Sequence, residues 1–275
     1  MPSKAATAAP WGTGCEGAVQ DSQFLIATVG LSFEARIAAG PRVTVIGRGG
    51  AGGMLASVEK AIRQGCKGII SFGIAGALVP QLKPGSWVVA SSVIDVNGEH
   101  LPACPNWAAR MIQSLPGAMH APILGSEGPV AHPAVKRLLH KKTGAAIVDM
   151  ESHLAARLAA QHGIAFAALR VVCDPSHRAL PTAALAGMRP DGTTDGFAVV
   201  RGIVGRPSVL PGVMLTAMDA AAARASLQRG RRALGASFGL LETPAPQEAI
   251  SVLAEPLVML PDGLPSLPEA ETQPA

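Results

Sequence analysis

Three acidic residues each follow an apolar run. Glu34 stands in Gly30-Leu31-Ser32-Phe33-Glu34 after the run FLIATVG, Asp149-Met150-Glu151 closes AAIVDME, and Asp174 closes FAALRVVCD. An acid just beyond the carboxyl end of a strand sits at the edge where open α/β sheets bind ligands. A carboxylate in Asp149-Met150-Glu151 can accept hydrogen bonds from two neighbouring hydroxyls at once, which is what a ribose diol offers. Asp174 would end a strand buried on both faces; there it loses hydration, its pKa rises above the ordinary value of about 3.9, and it can hold a proton to give away. Each acid also has a local explanation. Glu34 and Glu151 suit the first turn of a helix, where the macrodipole favours negative charge, and Asp174-Pro175 suits the start of a turn. That explanation has to be invoked three times over.

A fourth feature is the glycine run Gly47-Arg48-Gly49-Gly50-Ala51-Gly52-Gly53 between the apolar RVTVI and the helical MLASVEKAIRQG. Gly47, Gly49 and Gly52 match the dinucleotide fingerprint in its strand-to-helix setting. The acid expected about 20 residues later for a ribose is missing, because after Glu59 the next acid is Asp95. A nicotinamide enzyme is therefore a poor fit. What survives is an anion site in which the backbone of Gly47 and Gly49 and a helix N-terminus approach the ligand and Arg48 adds a charge.

Such residues need a scaffold, and the chain alternates short β-rich runs with helical stretches. FLIATVG, RVTVIG, GIISFGIAG, SWVVASSVI, AAIVDM and FAALRVVCD read as strands, MLASVEKAIRQG and HLAARLAAQHG as helices. Continuous apolar character in IISFGIAG and FAALRVV marks strands buried on both faces, as in a mostly parallel sheet. The expectation is one α/β sandwich over residues 22–241, with an irregular segment at 1–21 and a tail at 242–275 holding seven prolines. A last helix is expected from near Ser208 to about Leu234.

Composition narrows the function classes. The chain has 275 residues, 48% hydrophobic and 15% charged, which suits a packed core. It has no Tyr and 3% aromatics, too few to stack the bases of a single-stranded nucleic acid. Cysteines 15, 66, 104 and 173 form no CxxC pair and no metal-ligand spacing, so neither disulfides nor a metal is expected. Without a signal sequence or an apolar run of about 18 residues, the expected location is cytoplasmic. The formal charge is +4, but the tail after Leu241 carries six acids and no base, leaving 13 acids against 23 bases, about +10, in the preceding part. Such a balance suits an anionic partner or a solvated basic face. Arg201, Arg206, Arg224, Arg229, Arg231 and Arg232 cluster around the last helix, whose Leu215, Met218 and Leu227 either pack on the sheet or lie on an anionic membrane.

Taken in order, GLSFEA, the glycine turn, SFGIAGALVPQLKPGSWVVASSV, AIVDMESHLAA and LRVVCD resemble the superfamily of purine nucleoside phosphorylases and methylthioadenosine/S-adenosylhomocysteine nucleosidases, from about Phe24 to His177. The SFGIAG form, the segment CDPSHRALPTAALAGMRPDG and the arginine-rich ending look like its hopanoid-associated phosphorylase family, thought to remove adenine from adenosylhopane. The resemblance implies a single three-layer α/β sandwich with a mixed, largely parallel central sheet. By position, Glu34 matches the acid that orients or deprotonates the attacking water. Glu151 matches the acid that binds the ribose 2′- and 3′-hydroxyls, with Met150 beside the sugar, and Asp174 the acid that protonates N7 of the purine. Gly73-Ile74-Ala75 matches the turn facing phosphate or water, and the backbone at Pro129 and Val130 falls near the adenine. Relatives often carry a hydroxyl where this chain has Ile74, which favours water over phosphate; phosphate as co-substrate would have Arg36 and Arg48 as candidate ligands. No cofactor is implied, a homo-oligomer is. The alternatives sharing these residues are a methylthioadenosine/S-adenosylhomocysteine nucleosidase and a nucleoside-binding module that has lost catalysis.

Overall fold

The structure, a computed structural model, describes residues 24–47, 53–181 and 210–240. The segments 1–21 and 242–275, together with Arg48, Gly49, Arg201 and Arg206, lie outside the described residues. The apolar runs become strands β1 (Phe24–Val29), β2 (Val43–Gly47), β3 (Cys66–Ala77), β4 (Trp87–Ile94), β7 (Ile147–Asp149) and β8 (Ala165–Asp174). The short β5 (His100–Pro102) and β6 (Met119–Gly125) complete an eight-stranded mixed sheet. Helices α1 (Ser32–Ala38), α2 (Gly53–Ile62), α3 (Pro105–Ser114), α4 (Pro133–Thr143), α5 (Ser152–His162) and α6 (Leu210–Ala233) surround it.

Five of the eight strand pairings are parallel, and β3–β7, β4–β5 and β4–β8 are antiparallel. The pairings β3–β7–β6–β4–β8–β3 close a five-stranded ring, with β1 and β2 continuing outward from β3. Alternate residues of β1, β3 and β8 feed two cores. Ile26, Ile69, Phe166 and Ala168 pack with Val58 of α2 and Ala155 and Leu158 of α5. Leu25, Ile70, Phe72 and Leu169 pack with Trp107 of α3 and Leu227 of α6. This two-sided burial makes three layers, and it is why the central strands read as unbroken apolar runs.

The expected start near Ser208 lies outside the described residues; helix α6 is described from Leu210 and changes character along its length. Its second half is anchored: Ala223, Ser226, Leu227 and Gly230 are buried, and a Cβ at Gly230 would lie 2.5 Å from Cζ3 of Trp87. Its first half leaves Leu210, Met214, Leu215 and Met218 exposed, Met218 by 66%. Among the described residues no helix is long and apolar enough to cross a membrane.

Candidate functional site

The β1–β3 and β3–β8 registers put Gly30, Gly73 and Arg170 level with one another: Thr28 pairs with Ser71, and Gly73 with Arg170. Glu34, in the first turn of α1, turns back toward them. One carboxylate oxygen accepts the N–H of Gly30 at 2.9 Å and of Leu31 at 2.8 Å, and the other accepts the N–H of Ile74 at 2.7 Å. The first two are the usual return of an N3 acid onto the orphan donors of its helix. The third ties α1 to β3, so Glu34 is buried instead of standing on an exposed first turn. Burial pushes its pKa up to about 7, against Arg170 and the Ile74 N–H, with Glu151 adding to the rise. A carboxylate poised there can take a proton at neutral pH.

Arg170, in the middle of β8, is fully buried. Its Nε lies 2.5 Å from Asp149 Oδ2 and its Nη2 3.6 Å from Glu151 Oε2. Nη2 also donates to Ser71 Oγ at 2.6 Å and Ser152 Oγ at 3.2 Å, and Ser152 bonds Asp149. Burial disfavours the guanidinium charge most, but Asp149, Glu151 and Glu34 together hold its pKa above the ordinary value. Nη1 has no hydrogen-bond partner among the described residues. A Cβ at Gly73 would lie 2.6 Å from that Nη1 and 2.6 Å from Cδ of Glu34, and one at Gly30 would lie 2.7 Å from Glu151 Oε1. Both glycines are therefore required by close approach, and together they form a bare backbone floor beneath the side chains of Glu34, Arg170 and Glu151.

Glu151 stands at the N-cap of α5, its N–H on Asp149 Oδ1 at 3.3 Å. Half-buried Met150 lies between the two acids. Asp174 is level with Gly76 across a bulge, and its Oδ2 would be 3.5 Å from a Cβ there. Three residues along β3 separate this point from Gly73, which is roughly 10 Å at the ~3.3 Å rise of a strand. Burial raises the Asp174 pKa, against a hydrogen bond and charge from Lys136. Lys136 is itself buried; its ammonium bonds Asp174 Oδ2, Pro175 O at 2.9 Å and Arg178 O at 3.3 Å.

The other expected positions fall elsewhere on the same framework. Ile74 contributes its backbone N–H, and Ala75 is buried in the core. Pro129 is exposed, and Val130 packs against the small cluster of Leu78, Ile94, Leu124 and Val148. The adjoining Ala131 carbonyl accepts Leu180 N–H at 3.1 Å, which brings this loop to the segment after Asp174. Gly47 ends β2 level with Val29. Arg36 is exposed on α1, two residues from Glu34 and on another face of the helix. The buried cation beside Glu34 is Arg170, not Arg36.

Sequence reasoning missed both buried cations. Arg170 had a signal: one Arg inside the apolar run AALRVV requires buried carboxylate partners. Lys136 had none, since α4 carries Arg137, Lys141 and Lys142 nearby and reads as a solvated basic helix. Among the described residues no three His, Cys, Asp or Glu side chains converge as a metal site requires.

The sequence profile of the Phosphorylase superfamily matches residues 22–204, about two thirds of the chain. The chain belongs to the Phosphorylase superfamily. No curated protein matches this superfamily member by sequence. Futalosine hydrolase of Helicobacter pylori superposes with a TM-score of 0.58 at 14% identity, covering 80% of this chain and 98% of that one. A variant of the Helicobacter pylori methylthioadenosine/S-adenosylhomocysteine nucleosidase with 5′-methylthioadenosine in its active site gives 0.55 at 12% identity, covering 80% and 99%. The S-adenosylhomocysteine nucleosidase of Streptococcus pyogenes gives 0.51 at 14% identity, covering 74% and 98%. At such identities the likeness speaks for the fold: this superfamily member shares the mixed sheet of those nucleosidases.

Proposed function

We propose that the protein hydrolyses the N-glycosidic bond of a 5′-alkylated adenosine, releasing adenine, with adenosylhopane as the preferred substrate. The observation that carries this reading is the convergence over Gly73 of Glu34 and the unpartnered Nη1 of Arg170, with Asp174 about 10 Å further along the same strand edge. That span suits a ribosyl ring between a nucleophile and a purine. Arg170 Nη1 and Glu34 hold a water, and Glu34 takes its proton as the C1′–O bond forms. The C1′–N9 bond breaks, its electron pair passes to the purine, and Asp174 gives a proton to N7, so adenine leaves neutral. Glu151 accepts from the ribose hydroxyls, with Met150 beside the sugar; the backbone near Pro129 and Val130 borders the base. No cofactor takes part.

Water is the better nucleophile for this site on electrostatic grounds. One guanidinium is surrounded by Asp149, Glu151 and Glu34, so a phosphate dianion would meet more negative charge than positive. The exposed apolar residues of α6 suggest how a hydrocarbon substituent is met: α6 carries Asp219, which pairs with Arg178 just beyond Asp174. In this reading Leu210, Met214, Leu215 and Met218 face the apolar substituent or the bilayer that holds it, and exposed Arg224, Arg229 and Arg232 attract anionic lipid. Arg231 takes a different role, since it bonds Ala38 O and Gly235 O and stacks on Phe238 at 4.2 Å.

The test is product analysis on purified protein with adenosylhopane, methylthioadenosine and S-adenosylhomocysteine, with and without phosphate. Adenine and a free ribose product in both conditions are expected, fastest from adenosylhopane. Ribose 1-phosphate formed only with phosphate would reverse the choice of nucleophile. Faster turnover of the two thioether nucleosides would assign the narrower nucleosidase activity, and adenosine binding without turnover a silent binding module.

A further inference from the structure

Lys136 is out of place by every local rule. It sits in the first turn of α4, where the macrodipole disfavours a cation, and it is the one residue of that helix that is fully buried. All three of its ammonium protons are used, on Asp174 Oδ2, Pro175 O and Arg178 O. The stability of α4 does not explain this. A buried ion pair costs several kcal/mol of desolvation per ion, and an apolar pair of the same volume is often no less stable. The arrangement does have a chemical consequence. With Oδ2 held by Lys136, only Oδ1 of Asp174 is left to meet a ligand.

We propose that Lys136 is the positioning residue for the acid: its ammonium pins one oxygen of Asp174, turns the other toward the purine, and balances the negative charge Asp174 acquires when it hands its proton to N7. This rests on the nucleosidase reading. In the step, the Asp174 O–H bond breaks and the N7–H bond forms. The C1′–N9 electron pair goes to the purine, and the new carboxylate finds an ammonium already in place. Lys136 keeps its protons throughout. Asp174 regains one from solvent, to which its side chain is 12% exposed. Among the described residues the other charges nearby are Arg178 and Asp219, which pair with each other, and Glu34 of α1, whose carboxylate meets β3 at Gly73. Cys173 is neutral, its thiol pushed up to about 12 by burial first and by the surrounding carboxylates second. Among the described residues Lys136 is thus the cation bonded to Asp174, with Arg178, which it shares with Asp219, acting on it from further off. Burial favours the protonated acid that must be loaded, while Lys136 favours the carboxylate that must be formed, and a proton donor works best between these limits.

The experiment compares wild type, K136Q and K136R on methylthioadenosine and on its N7-methylated derivative, whose base already carries the charge that protonation supplies. K136Q is expected to lose about tenfold or more in kcat on methylthioadenosine with KM within about threefold, and to lose little on the N7-methylated substrate. The alkaline limb of its kcat profile should move up by about one pH unit, because Asp174 without the ammonium keeps its proton longer. K136R should leave the limb in place. If K136Q does not fold, K136R carries the test: its wider guanidinium disturbs the three bonds, so loss on methylthioadenosine with the N7-methylated substrate spared supports the proposal. Equal loss on both substrates, or an unmoved limb in K136Q, would assign Lys136 to holding the chain turn at Pro175 and overturn it. A wild type that releases neither adenine nor 7-methyladenine from these two substrates, and no adenine from adenosylhopane, would instead sink the nucleosidase reading, and this proposal with it.

Discussion

The two carboxylates along the β3 edge are held in opposite ways, Glu34 fully buried and Asp174 partly exposed. Glu34 is held by backbone: three N–H groups, two from its own helix start and one from β3, converge on it, and Arg170 is the nearest cation. Asp174 is held by a side chain, the Lys136 ammonium delivered from α4, 38 residues earlier in sequence. Backbone donors cannot be titrated or easily mutated away, so they fix position. A lysine adds a full charge, so it governs the proton affinity of its partner as well as its position. The contrast suits the roles proposed: a base that need only be placed and desolvated, and an acid that must be both loaded and discharged.

The largest effect expected from breaking this contrast is at Glu34. Glu34→Gln removes the base, and one of the amide hydrogens must face a backbone N–H, so kcat should fall about 10² to 10⁴-fold. In wild type the base must be ionised, so kcat/KM should decline as pH falls below about 7, following the raised pKa of Glu34. A pH profile flat between 6 and 8, or a Gln variant within tenfold of wild type, would break the assignment.

At the other end, Asp174→Asn should lower kcat by about 10² while KM for the nucleoside changes little. It should also lower stability, which Glu34→Gln does not require in the same way. The buried Lys136 is left without a counter-charge, and breaking one partner of such a pair typically costs about 3–5 kcal/mol. Chemical denaturation measured beside kinetics sharpens the comparison: loss of activity with unchanged stability would show that Lys136 and Asp174 are not energetically coupled.

The smallest effect belongs to the free end of α6. Replacing exposed Met214 and Met218 with Gln should leave turnover of methylthioadenosine unchanged and reduce both turnover of adenosylhopane in vesicles and co-sedimentation with anionic vesicles. Replacing Arg229 and Arg232 with Gln should weaken low-salt co-sedimentation by about 1 kcal/mol each, roughly fivefold, while Arg231, already tied to Ala38 and Phe238, contributes less. Unchanged vesicle binding in both variants would make this half of α6 an ordinary surface.

By itself the sequence determined the central strands and which carboxylates stand at their ends. Strands buried on both faces must be continuously apolar, so β1, β3 and β8 announce themselves, and the residue after the last apolar position is placed by chain connectivity alone. Asp149 and Asp174 were legible for that reason, Glu34 and Glu151 as acids a few residues beyond a strand end, and family resemblance added roles to positions already chosen. The connecting elements β5, α3, β6 and α4 were not legible. Their apolar positions are few and split between a large core and a small one, as in α4, where Leu139 meets the minor cluster and Lys136 is the one buried side chain. Only the tertiary structure decided which cations meet which acids. Arg170 reaches Asp149 and Glu151 because β8 lies parallel beside β3 while β7 runs antiparallel on its other side. Lys136 reaches Asp174 because α4 packs beside the turn after β8. A charge can be predicted to need a partner from its own surroundings, but the partner is chosen by the packing of distant segments, and no periodicity along the chain encodes that choice.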